Sequence, residues 1–139
     1  MSKKRKVLFL CTGNSCRSQM AEGLVNHYLS DRWEGYSAGT RPSGYVHPLA
    51  VKAMGELDID ISEGQSQHTD AFREMTFDVV VTVCDNAAED CPVWLGDGVK
   101  EHIAFPDPAD ATGSEEEQMV VFRTVRDDIK KRVFHYLLS

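Results

Sequence analysis

Val7-Leu8-Phe9-Leu10 is an unbroken apolar run that stops at a cysteine, and the next residues, Cys11-Thr12-Gly13-Asn14-Ser15-Cys16-Arg17, have a loop's composition. A short run with no polar interruption suits a strand buried on both faces. A helical pattern starts near Ser18, with Met20, Ala21, Leu24, Val25 and Tyr28 at spacings of three and four. The order strand, loop, helix constrains the chain strongly. A strand buried on both faces needs a covering layer on each, and the helix that follows it supplies part of one.

The rest of the chain keeps the alternation. A short strand is expected from Trp33 to Ala38, ending at Gly39, and Pro48 fits the first position of a helix through Glu56. Leu49, Val51, Ala53, Met54 and Leu57 offer that helix a core face. Residues 77–83, Phe-Asp-Val-Val-Val-Thr-Val, read as a strand rich in β-branched side chains, and residues 101–105 as a further, weaker one. Ser114 followed by Glu117 forms a capping box. The helix it opens carries Val121, Phe122, Val125, Ile129, Val133 and Leu137 on one stripe. The expected fold is α/β: one domain over residues 1–139, a parallel sheet with helices on both faces. Ligands of such sheets bind beyond the carboxyl ends of the strands. Loop 11–17, the Cys84 segment and the Asp107 segment all fall there.

The net charge of −7 argues against a nucleic-acid partner, which needs a basic surface. The Lys3-Lys4-Arg5-Lys6 run reads as a solvated entry to the first strand. An anionic ligand must then be attracted locally, against the field of the whole chain. No apolar run reaches membrane-spanning length and no signal peptide is evident, so a cytoplasmic protein is expected. In a reducing compartment the four cysteines are not static disulfides but buried, metal-binding or redox-active thiols.

Loop 11–17 has the makings of an oxyanion cradle. Gly13 permits unusual dihedrals and Asn14 tolerates left-handed ones, so successive N–H groups can turn inward, backed by a helix N-terminus. The planar fork of Arg17 can grip two oxygens of a tetrahedral anion. The same surroundings favour a nucleophilic thiolate at Cys11. Ser18 is a helix cap or a hydroxyl partner of that sulfur, and both can hold.

Cys84 and Cys91 are seven residues apart, two turns along one helical face and too far for a disulfide across an intact helix. If they pair, the segment must unwind, which would make it a redox switch. Zinc competes poorly: gaps of four residues (Cys11 to Cys16) and six (Cys84 to Cys91) exceed or crowd structural spacing, and Cys16 lies inside the loop. Two buried thiols are the plainer alternative. Asp107, flanked by Pro106 and Pro108, is held extended. It can serve as a proton donor toward the loop or as a turn residue, with Asp110 the second candidate acid. His27, His47, His68, His102 and His135 show no ligand spacing and read as surface or satisfied residues.

Cys11-Thr12-Gly13-Asn14-Ser15-Cys16-Arg17-Ser18, continued by Gln19-Met20-Ala21-Glu22-Gly23, resembles the phosphate loop of the low-molecular-weight tyrosine phosphatase superfamily. Ser37-Ala38-Gly39-Thr40 resembles a second signature of it. Within that superfamily the chain is most similar, over nearly its whole length, to the thioredoxin-coupled arsenate reductases. The resemblance implies a four-stranded parallel sheet in the order 2-1-3-4. It implies reduction of arsenate to arsenite: Cys11 attacks arsenic, residues 12–18 bind the oxyanion, and Asp107 is the general acid. The redox pair Cys84 and Cys91 then forms the transient disulfides Cys11–Cys84 and Cys84–Cys91, the last reduced by thioredoxin. It implies no tightly bound cofactor and a monomer. An optional potassium ion would lie near Asn14, Glu22, Ser37 and Gln67, although Gln67 stands where an aspartate is usual. The superfamily's alternative activity is phosphomonoester or phosphotyrosine hydrolysis. Its tyrosine-specific members follow the Asp-Pro pair with tyrosine, where this chain has Ala109.

Overall fold

β1 (Arg5–Cys11) is the strand around which the others assemble in the computed structural model, which describes residues 4–85, 94 and 96–139. It pairs in parallel with β2 (Trp33–Gly39) on one side, from Arg5↔Trp33 to Cys11↔Gly39. On the other side it pairs with β3 (Val79–Thr82), from Val7↔Val79 to Leu10↔Thr82. β4 (Val99–His102) extends the sheet beyond β3, giving the order β2-β1-β3-β4 among the described residues. The expected order 2-1-3-4 is the observed one. Flanked on both sides, β1 has no exposed side chain from Val7 to Leu10, which is why its apolar run is unbroken.

The side chains of β1 alternate between two cores. Val7, Phe9 and Cys11 join the larger one, with residues from α1 (Arg17–Tyr28), α2 (Pro48–Gly55) and α3 (Glu115–Leu138). Leu8 and Leu10 join a smaller one, with Ala38, Phe72, Phe77 and Val80. Both faces therefore carry helix, but unequally. All three α-helices pack on the first face, while among the described residues the second is covered by a 3-10 turn, Thr69–Phe72, that the sequence pattern did not signal. The capping box of α3 forms as expected: Ser114 Oγ accepts from the Glu117 N–H at 3.2 Å, and Glu117 Oε1 accepts from the Ser114 N–H at 3.2 Å. The expected stripe is buried except Val121, which is half-buried.

Two expectations need correction. Tyr28 leaves the α1 core face and is 40% exposed, with its ring against Phe134 and under the Lys130 ammonium. The fourth strand begins two residues earlier than the expected 101–105 and covers Val99–His102, with every side chain exposed. An edge strand facing solvent carries no apolar signal. The buried Ile103 and Phe105 follow it, and their N–H groups still bond the carbonyls of Thr82 (2.9 Å) and Val83 (3.3 Å). That continuation along β3 brings the Asp107 segment back to the carboxyl end of the sheet, beside loop 11–17.

Candidate active site

The carbonyls of residues 12–16 in loop 11–17 are each held by a specific donor. The Thr12 carbonyl accepts from Arg41 N–H and that of Gly13 from Ser43 N–H, both at 2.9 Å, with Ser66 Oγ adding a second bond to Gly13 at 3.1 Å. Asn14 O accepts from Gln19 Nε2 (3.1 Å), Ser15 O from His47 N–H (2.9 Å) and Cys16 O from Met20 N–H (2.9 Å). Carbonyls tied up in this way leave the loop's N–H groups suited to face a ligand at its centre. Asn14 makes the turn at φ 48°, while Gly13 is not in the left-handed region, so the unusual dihedral falls to the asparagine alone. The Asn14 side chain is a fully buried peg: Oδ1 accepts from the Gln67 N–H (2.8 Å) and Nδ2 donates to Ser18 Oγ (2.8 Å).

α1 begins at Arg17, and its cap position, Cys16, makes no side-chain cap bond. No side chain from the cap position takes the first-turn N–H groups, and an anion gains from such a helix start. Gly39, which ends β2, lies so close beneath the loop that a Cβ there would collide with the carbonyl oxygens of Thr12 and Cys11. That close approach is the physical content of the Ser37–Thr40 signature.

Cys11 Sγ is 2.9 Å from Ser18 Oγ and receives the Asn14 N–H at 3.2 Å. Ser18 lies inside α1, so of its two expected roles the structure assigns the hydroxyl partner and not the cap. The Arg17 side chain is buried, its Nη1 donating to the Phe105 carbonyl at 3.0 Å and its Nη2 lying 3.6 Å from Asp107 Oδ2. Asp107 is both a turn residue and a site residue: Oδ1 accepts from the Ala109 N–H at 3.0 Å to open a 3-10 turn, Pro108–Asp110. Cys11, Thr12, Gly13, Ser15, Cys16, Arg17 and Asp107 line one cavity of about 250 Å³. Asp110 is exposed and lies outside that lining.

Burial pushes the Cys16 thiol up to about 12, so it stays protonated at neutral pH although it lines the same cavity. Cys11 and Cys16 are free thiols. Cys84 follows β3, is fully buried and is disulfide-bonded. Cys91 lies outside the described residues. Of the positions named for potassium, Ser37 Oγ donates to Glu22 Oε1 at 2.9 Å, and burial raises the Glu22 carboxyl above its ordinary value. Asn14 Oδ1 already accepts the Gln67 N–H, so the four residues suit a cation only in part. Among the described residues no group of three His, Cys, Asp or Glu is placed to hold a metal ion.

One histidine was undervalued by spacing alone. His27, His68, His102 and His135 are exposed, but His47 is half-buried and belongs to the site's frame. Its N–H holds the Ser15 carbonyl, its Nδ1 caps α2 by accepting from Leu49 N–H (3.1 Å), and its ring packs on Phe122. The signal available in the sequence was its position just before Pro48, where a cap residue belongs.

The chain matches the family described as "Low molecular weight phosphotyrosine protein phosphatase" over residues 6–139. It is 53% identical over 135 residues to an arsenate reductase of Shouchella clausii, covering 96% of this chain and 94% of that one. A solved structure of an arsenate reductase in the phosphate binding state superposes with a TM-score of 0.77 at 34% identity, covering 96% of this chain and 97% of that one. A Corynebacterium glutamicum thioredoxin-dependent arsenate reductase is similar at 25% identity with a TM-score of 0.66, covering 99% of this chain and 64% of that one. With that match, and with the anion loop, the buried arginine and the aspartate gathered around one cavity, the chain belongs to the low molecular weight phosphotyrosine protein phosphatase family.

Proposed function

We propose that this chain reduces arsenate to arsenite by a three-cysteine relay regenerated by thioredoxin. Arsenate is a tetrahedral oxyanion, and the inward N–H groups of residues 12–17 with the Arg17 guanidinium suit it. The Cys11 thiolate attacks arsenic, forming a sulfur–arsenic bond, while Asp107 gives a proton to the departing oxygen, which leaves as water. The Cys84 thiolate then attacks Cys11 Sγ. The sulfur–arsenic bond breaks with its electron pair staying on arsenic, so As(V) leaves as As(III) in arsenite and a Cys11–Cys84 disulfide remains. The Cys91 thiolate attacks Cys84 Sγ, freeing the Cys11 thiolate and leaving Cys84–Cys91, and a thioredoxin dithiol reduces that bond. Cys16 takes no step. Potassium is optional: Asn14, Glu22, Ser37 and Gln67 would hold it, and no step passes through it.

The observation that carries this reading is the placement of Cys84. β1 and β3 are neighbours, and the Val83 N–H bonds the Leu10 carbonyl at 2.9 Å, so Cys11 and Cys84, each one residue further on, both come at the carboxyl end of the sheet. Phosphoryl transfer needs no second sulfur there. A free Cys11 with Cys84 already oxidised is also the pattern the relay would leave after Cys91 has attacked and before thioredoxin acts. The similarity to the S. clausii arsenate reductase and to the thioredoxin-dependent C. glutamicum enzyme supports the same reading.

The rival is the phosphatase activity of the family's description, for which Cys11, Arg17 and Asp107 would serve equally. Replacing Cys84 and Cys91 singly with serine separates the two. The relay predicts that both variants lose multiple turnover of arsenate by more than 100-fold, while any hydrolysis of p-nitrophenyl phosphate survives. Undiminished arsenate turnover in both variants contradicts it.

A further inference from the structure

Arg132 lies on α3, away from the cavity, yet it acts on the segment that joins β4 to Asp107. Its Nη1 donates to the Ala104 carbonyl at 2.9 Å, and its guanidinium sits 4.7 Å from the centre of the Phe105 ring. The very next carbonyl, that of Phe105, is the one that Arg17 Nη1 grips at 3.0 Å. Two guanidinium groups thus hold consecutive carbonyls of one short segment, and Asp107 follows two residues later. The Phe105 ring is 1% exposed, so the contact with Arg132 is an edge of the core and not a surface accident.

We infer that Arg132 is a positioning residue: by fixing Ala104 and Phe105 it sets the orientation of Arg17 and the reach of Asp107 into the anion cavity. Arg17 donates to the carbonyl of Phe105, whose ring and preceding carbonyl Arg132 holds, so a shift of Phe105 turns the Arg17 fork. The pairing of Arg132 with Asp128, one turn earlier on α3 at 3.3 Å, aims its guanidinium at the segment. Lysine could satisfy one carbonyl but not stack flat on the phenyl ring while doing so. The inference rests on the reading of loop 11–17 as an oxyanion site, but not on arsenate being the substrate.

The test uses the whole chain and inorganic phosphate as the probe. Phosphate protection of Cys11 from iodoacetamide, followed by mass spectrometry of the Cys11 peptide, gives an apparent Kd for the site. Arg132→Ala is expected to raise that Kd about tenfold, with Arg132→Lys between it and the parent and Lys131→Ala unchanged; a displacement near 1 Å suffices for effects of this order. Thermal melts run alongside identify variants still folded at the assay temperature. If Arg132→Ala does not fold, Arg132→Lys carries the test with an expected rise of about threefold. Phosphate protecting the folded variant as well as the parent overturns the inference. An unaltered Kd in Lys131→Ala shows that loss of positive charge on α3 is not the cause, whereas a rise equal to that of Arg132→Ala overturns positioning. Failure of the arsenate reading would show separately, as absence of arsenate turnover in the parent while phosphate still protects Cys11.

Discussion

Asn14 joins the loop's geometry to its chemistry. A left-handed φ of 48° is costly for most side chains and mild for asparagine, and the carboxamide then ties Gln67 on one side and Ser18 on the other. Ser18 in turn touches the Cys11 sulfur. Asn14→Ala is therefore expected to destabilise the fold by about 2–3 kcal/mol, from lost hydrogen bonds that leave a backbone N–H and a hydroxyl buried with fewer partners. Urea unfolding measures the first effect. Slower alkylation of Cys11 at neutral pH measures the second, the loosening of Ser18. At this scale the sequence was legible where a residue type has few reasons to occur. Cys11, Arg17 and Asp107 announced themselves and meet in one cavity. The parts played by Gly13 and His47 were less legible, because they depend on which neighbour takes the positive φ and which carbonyl needs a donor, and both are settled by tertiary contacts.

Between elements, Glu56 closes the gap from α2 to α3. Arg123 Nε and Nη2 bond its carboxylate at 2.8–2.9 Å, and Arg126 Nη1 adds a bond at 2.9 Å while also capping the Ala53 carbonyl at 2.7 Å. The Arg123 and Arg126 guanidinium groups hold the Glu56 carboxyl down at about 2, below its ordinary 4.5. Because the folded value is the lower one, the stability it gives is present above the ordinary value and is lost as pH falls from about 4.5 to about 2. Glu56 is 35% exposed, so solvent screening reduces the gain to about 1 kcal/mol. Glu56→Gln should lower stability by that amount at pH 7 and match the parent near pH 2, as read by denaturant melts across the range. A constant difference at all pH values would assign the effect to packing instead. Element by element, β1 and α3 were plain in the sequence because one is buried throughout and the other carries both a capping box and a stripe. β4 and the 3-10 turn Thr69–Phe72 were not, since the first is solvent-facing and the second too short to show a period.

For the whole molecule, the net charge of −7 and the proposed oxyanion site are reconciled by locality. The attraction would come from the loop N–H groups, the start of α1, which has no side-chain cap, and the buried Arg17, around a cavity of about 250 Å³. The parallel order β2-β1-β3-β4 makes that possible, by delivering loop 11–17, Cys84 and the Asp107 segment to one end of the sheet. That convergence follows from alternation of strands and helices and was legible in the sequence. The unequal helical cover of the two faces was not, because periodicity says that a helix has an apolar side but not which face of a sheet receives it. The relay requires electrons to pass from thioredoxin to arsenic through this chain. The direct measurement is NADPH consumption in a mixture of the protein, thioredoxin, thioredoxin reductase and NADPH, with and without arsenate. The relay predicts sustained consumption that requires both arsenate and Cys11, with arsenite accumulating in equal amount. No arsenate-dependent consumption, with phosphate still protecting Cys11 from alkylation, would contradict the relay and leave an oxyanion site without reductive chemistry.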